Sequence, residues 1–176
     1  MKQPNETRKR RFLVLHDYGM GGLWWWVWAR SAEEVVENCA EVEVVTDPDA
    51  LARAGTWSLD EVHIDAPHPN PLSDLRAQRE AQRDQPGFGA LVGRELVHLR
   101  WLEDGDDQVC LLELGPDGRK VREVEIGPDG DAVRTGVDDW LFNPPFDLFD
   151  PQYAPMEISR AAFDEAWRTA RHEPQE

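Results

Sequence analysis

The chain has only two cysteines, two tyrosines and three methionines in 176 residues, and nowhere an apolar run of eighteen or more. Cys39 and Cys110 lie too far apart in number and setting to build a disulfide scaffold, so the fold must rest on an apolar core, for which the chain is long enough. Val35-Val36 beside the first and Val109, Leu111 and Leu112 around the second read as buried surroundings for free thiols. The start Met1–Arg11 is polar and basic and leads into just four apolar residues, Phe12–Leu15, too few for a spanning helix or a secretory signal. The expectation is a cytoplasmic protein with no membrane association.

Positive charge is also scarce. Against 35 Asp and Glu stand 19 Lys and Arg, a formal charge of −16. Lys2, Arg8, Lys9, Arg10 and Arg11 crowd the first eleven residues beside Glu6, which leaves −20 on the remainder. Such a body repels nucleic acid and anionic membranes, and it steers a basic protein partner toward itself.

Catalytic signatures are missing as well. Tyr18-Gly-Met-Gly-Gly22 is glycine-rich, but Trp24 stands where a dinucleotide fingerprint takes its third glycine, and no Walker lysine follows. His16-Asp17 has no serine or cysteine with a nucleophile's context near it. His63, Asp65 and His68 have a loose metal-ligand spacing that a strand end and a solvated loop also explain. Asp104-Gly-Asp-Asp107 lacks the glycine and terminal glutamate of a calcium loop. Asp147 and Asp150 act as an acid–base pair only if the fold joins them. No cofactor, metal or catalytic residue is expected.

What is present is a legible series of elements. Phe12–Asp17 and Leu23–Ala29 read as strands of a hairpin around the glycine-rich turn. Ser31, three residues before Glu34, begins a capping box, and Ala32, Val35, Val36 and Cys39 share a helical face. Glu41–Thr46 reads as a strand. Asp47, Pro48 and Gly55 then bound a two-turn helix, and Glu61–Asp65 reads as another strand. Three prolines in Ala66–Pro71 break regular structure. Leu72–Asp84, with leucine only at its start, reads as a solvated helix. From Arg94 onward, Glu95–Leu102, Val109–Leu114, Val121–Ile126 and Ala132–Thr135 alternate with turns, two of them Gly-Pro-Asp-Gly, as in an antiparallel meander. Asn143–Pro155 reads as an aromatic, proline-rich loop over the sheet. A closing helix follows, capped by Ser159, with Ile158 and Phe163 as a staple and Phe163 against Trp167. The fold class is α+β: a ββαβ-type N-terminal half, then a meander with a closing helix. The parts are a basic flexible tail at 1–11, a tryptophan-rich half at 12–66, a connector at 67–93 and the meander with its helix at 94–176.

The sharpest feature is Trp24-Trp25-Trp26-Val27-Trp28. Period two puts Trp24, Trp26 and Trp28 on one face, with Leu23, Trp25, Val27 and Ala29 on the other. Two apolar faces suit a central strand between layers; a stacking platform for a flat ligand is the other reading.

Phe12–Val45, with its hairpin and tryptophan strand, and Gly118–Trp167, with Arg119-Lys-Val-Arg-Glu-Val-Glu-Ile126, Asp129-Gly130 and the closing helix, resemble segments of uncharacterised actinobacterial proteins. The second segment is similar to small domains of unknown function, some of them suspected immunity-type proteins of bacterial toxin systems. The resemblance implies a binding protein and brings no functional residues with it. The leading expectation is an interaction module whose acidity draws a basic partner, with Phe146, Phe149 and Tyr153 as apolar anchors. The alternative is a small-molecule-binding protein or enzyme with a cleft at Asp17, Tyr18, Trp24, Trp26 and Trp28, and exposure of those tryptophans would favour it.

Overall fold

The computed structural model describes residues 8–17, 21–102, 105 and 107–172. The chain divides into two compact units, Met1–Asp84 and Gln85–Glu176. The class is mixed α+β, and no helix among the described residues is long and apolar enough to cross a membrane.

In the first unit, β1 (Arg10–Asp17) and β2 (Gly22–Ala29) pair antiparallel from Arg10↔Ala29 to Asp17↔Gly22. Arg10 and Arg11, expected in a flexible tail, are therefore already in the sheet. Two short strands complete it, β3 (Glu43–Val45) beside β1 and β4 (Glu61–His63) parallel to β2, in the order β3-β1-β2-β4. Both are shorter than their apolar runs suggested.

Two helices behave as their caps dictate. In α1 (Ala32–Asn38) the Ser31 hydroxyl accepts the Glu34 N–H at 3.1 Å, while the Glu34 carboxylate takes the N–H of Arg30 instead of Ser31, at 2.6 Å. In α2 (Pro48–Ala54) Asp47 accepts the Ala50 N–H at 2.7 Å.

The third helix, α3 (Ser73–Arg83), departs from expectation. It is solvated on one side only: Leu75, Arg79 and Gln82, with Leu72 at the cap before them, form a buried stripe at heptad spacing. Arg79 donates to the carbonyls of Val36 and Cys39 at 2.9 and 3.0 Å and to Gln82 Oε1 at 2.8 Å. The last turn of α1 contains no basic residue, and Arg79 supplies from outside the positive charge its carbonyl end favours. One face of the sheet (Val14, Trp25, Val27, Ala29) packs with α1, Leu72 and Leu75; the other (Leu13, Trp26) packs with Ala54 and Leu51 of α2.

The second unit is the meander β5 (Val97–Leu102), β6 (Val109–Leu114), β7 (Lys120–Ile126) and β8 (Ala132–Gly136), extended by a two-residue parallel strand β9 (Arg171–His172). Both Gly-Pro-Asp-Gly turns close alike. Gly118 N–H reaches Gly115 O at 3.0 Å and Gly130 N–H reaches Gly127 O at 2.9 Å, with φ of +83° at each closing glycine. Helix α4 (Arg160–Thr169), capped by Ser159, covers one face through Phe163, Ala166 and Trp167, with Ile158 in the same cluster as Phe163. Leu91, Phe146, Leu148, Tyr153 and Met156 cover the other. Part of the expected loop is regular, since Pro151–Met156 forms a 3-10 helix capped by Asp150.

Candidate functional site

The tryptophan strand lies between layers. Trp25 and Trp26 are buried, Trp24 and Trp28 half-buried. Each ring of the Trp24, Trp26, Trp28 face already has a protein neighbour. Trp57 meets Trp24 edge-on at 5.6 Å, the Arg11 guanidinium sits 4.2 Å from the Trp26 ring centre, and His63 stacks on Trp28 at 5.9 Å. Trp28 Nε1 donates to Glu61, which also accepts from Arg11, and these bonds hold the Glu61 carboxyl below its ordinary value. Asp17 is exposed at the end of β1, and Tyr18 lies outside the described residues.

The aromatic loop also turns inward. Phe146 packs edge-on against Trp101 at 5.7 Å and against Tyr153 at 5.5 Å, and Phe149 against Phe88 at 5.8 Å. All three expected anchors are half-buried. The second unit exposes Val92 and Leu102 singly, and just before the expected anchors it exposes three apolar side chains close together: Val137 at 61 %, Leu141 at 103 % and Phe142 at 68 % of full exposure, in a segment that includes Asp138, Asp139 and Trp140. This segment was missed because alternation and composition do not separate Trp140-Leu-Phe142 from the neighbouring Phe146-Asp-Leu-Phe149. The docking of Phe146 on Trp101 and of Phe149 on Phe88 is what sets them apart from the exposed Leu141 and Phe142.

The remaining candidates resolve into separate roles. His63 stacks on Trp28, Asp65 pairs with Lys9, and His68 Nδ1 lies 2.7 Å from the Ser73 hydroxyl, so the three do not converge. No group of three or more metal-ligating side chains occurs among the described residues. His16 Nδ1 lies 2.9 Å from Glu41 O. Asp147 and Asp150 each accept the N–H two residues on, from Phe149 and Gln152, as turn and cap residues do.

A polar ladder crosses the second sheet beneath α4, and sequence reasoning passed over it. His98, Glu113 and Arg122 sit opposite one another on β5, β6 and β7. His98 Nε2 is 2.9 Å from Glu113 Oε2, and Arg122 grips both Glu113 oxygens, at 2.7 and 2.5 Å, and Asp164 of α4 at 2.9 Å. The fork of the Arg122 guanidinium matches the carboxylate. It holds Glu113 and Asp164 below the usual carboxylate range, despite the opposing pull of burial on Glu113, and its own pKa rises in turn. The Arg122 guanidinium also lies about 5 Å from the rings of Phe163 and Trp167. A signal was present, a lone glutamate in Val109-Cys-Leu-Leu-Glu-Leu114 and a lone arginine facing it across a turn. On the other face, Glu123 is buried beside Lys120 and Glu125, and loss of hydration pushes its carboxyl up.

Charge is divided unevenly between the units. Residues 85–176 hold 20 acidic and 9 basic side chains, so −11 of the total −16 belongs to the second unit and −5 to the first. Compared with protein-family models, curated proteins and solved structures, the chain matches none.

Proposed function

We propose that the protein is an interaction module of the immunity type, which binds a basic protein partner through its second unit in the cytoplasm. The observation that supports this reading is the exposure of Val137, Leu141 and Phe142 together in the unit with most of the negative charge. Water-exposed side chains of this size are costly to leave uncovered and are what a partner buries, while the acidic surroundings accelerate encounter with a cation-rich surface. The buried free thiols Cys39 and Cys110 suit a reducing compartment. The resemblance to immunity-type domains points the same way.

The test compares the tagged wild-type chain with a Leu141→Ser/Phe142→Ser variant in pull-downs from a native host, at low and high salt. A basic protein captured by the wild type at low salt, lost at high salt and lost from the variant is the expected result. Capture unaffected by the substitutions would refute the docking segment. Both side chains are exposed and stand outside the core clusters, so stability should change by no more than about 0.5 kcal/mol.

A further inference from the structure

Each Gly-Pro-Asp-Gly turn sets an aspartate directly before a glycine, Asp117-Gly118 and Asp129-Gly130, a pair able to rearrange its own backbone. The glycine nitrogen attacks the aspartate Cγ. The neutral carboxyl gives up its hydroxyl and the amide its proton, together one water, and a cyclic imide closes. Water then adds to one of the two imide carbonyls. Addition at Cγ restores aspartate; addition at the former backbone carbonyl leaves isoaspartate, whose chain runs through Cβ and Cγ and is longer by one methylene. Nothing is oxidised or reduced and the mass is unchanged. Glycine favours the attack because no Cβ crowds its amide.

In both folded turns the reacting groups are engaged elsewhere. Gly118 N–H is bonded to Gly115 O at 3.0 Å and Gly130 N–H to Gly127 O at 2.9 Å. Asp117 Oδ1 accepts the Arg119 N–H at 3.0 Å, and Asp129 Oδ1 accepts the Asp131 N–H at 3.1 Å. Attack therefore waits for the turn to open, and there the two part. At the first turn Gly118 is buried, and its carbonyl accepts the Phe146 N–H at 2.8 Å. Arg119 donates to Asn143 O at 2.7 Å, and the Asn143 side chain bonds Lys120 N–H and O at 3.1 and 2.8 Å. At the second turn Asp129 and Gly130 are both exposed, and the space on the Cβ side of Gly130 is open. Each further bond that must break lowers the open fraction about fivefold. We infer that Asp129 is a site of spontaneous isoaspartate formation in the folded protein, and that the Phe146 and Asn143 clamps protect Asp117 in the same tetrapeptide. The added methylene lands between β7 and β8, beside Asp131, whose carboxylate holds Arg171 of β9 at 2.7 Å. The inference does not depend on the exposed segment around Leu141.

The test ages the full chain, carrying Asp104→Glu, for weeks at neutral pH and physiological temperature. That substitution removes a third Asp-Gly pair, whose aspartate lies outside the described residues, and leaves one pair in each of the tryptic peptides Trp101–Arg119 and Glu123–Arg134. Electron-transfer fragmentation cleaves the isoaspartyl linkage at its extra methylene and so counts the isomers despite their equal mass. A parallel sample is held unfolded in guanidinium chloride, where local sequence alone sets the two rates. The ratio of the rate at position 129 to that at 117 should exceed its unfolded value by more than about fivefold, the worth of a single extra bond. A smaller excess, or no isoaspartate at 129 in the folded chain while the unfolded sample converts, overturns the inference.

Discussion

The two Gly-Pro-Asp-Gly turns offer a matched pair of substitutions in which only one physical variable differs. Gly118 and Gly130 close their turns through the same hydrogen bonds and share a φ of +83°. Alanine at either must enter the left-handed region, at about 1–2 kcal/mol. A side chain at position 130 meets nothing within 4 Å, whereas at position 118 it would lie 2.1 Å from the carbonyl oxygen of Phe146. That oxygen cannot withdraw freely, because the Phe146 N–H donates to Gly118 O at 2.8 Å and its ring is wedged between Trp101 and Tyr153. Relief breaks the bond, at about 1 kcal/mol, and displaces the ring, at about 1–2 kcal/mol on the scale of overpacked sites. Gly118→Ala should thus cost about 3–5 kcal/mol and Gly130→Ala about 1–2. Urea titrations followed through amide resonances of Leu112 and Val124 would report on the second unit alone. Costs within about 0.5 kcal/mol of each other would refute the argument that the Phe146 backbone seats against Gly118.

Glu113→Gln should destabilise the second unit by about 3 kcal/mol at neutral pH, the lower end for a broken buried pair because Arg122 keeps Asp164. Since Arg122 lowers the folded pKa of Glu113, its contribution is complete above the unfolded value of about 4.3 and drains away as pH falls through the folded one. Wild type and variant should therefore converge in acid, and a gap that stays constant in unfolding free energy would contradict the ladder. Arg79→Leu should cost the first unit about 2–4 kcal/mol by leaving the Val36 and Cys39 carbonyls unbonded. Arg79→Lys should not restore it in thermal unfolding, because a single ammonium cannot replace the fork. Burial pushes the Cys39 thiol up to about 11, so in a Cys110→Ala background it should resist thiol reagents at neutral pH until urea unfolds the chain. Prompt labelling in native buffer would show the site to be open.

Elements with strong local chemistry were legible in the sequence. Ser31, Asp47 and Ser159 cap the helices they were expected to cap, and the meander follows its turn residues. What escaped was decided by distant partners. Helix α3 reads as solvated throughout because two of its three buried positions are Arg79 and Gln82, and only the carbonyl end of α1 explains an arginine there. Strand β9 is two residues long and has no pattern to detect; it exists because α4 delivers it to the edge of β8. The ladder needed the register of three strands, which places His98 opposite Glu113 and Glu113 opposite Arg122.

That short final strand also bears on self-association. Val133 and Arg134 of β8 pair with Arg171 and His172, and Arg171 is tied to Asp131 at 2.7 Å. Without these two residues the backbone of β8 would present unsatisfied donors and acceptors along an open rim, the surface on which a second sheet can template itself. A strand too short to add much cohesion thus acts as a stopper, with the Arg171 cation on a strongly anionic unit, and chains truncated before Arg171 should form larger oligomers than the full chain in size-exclusion chromatography.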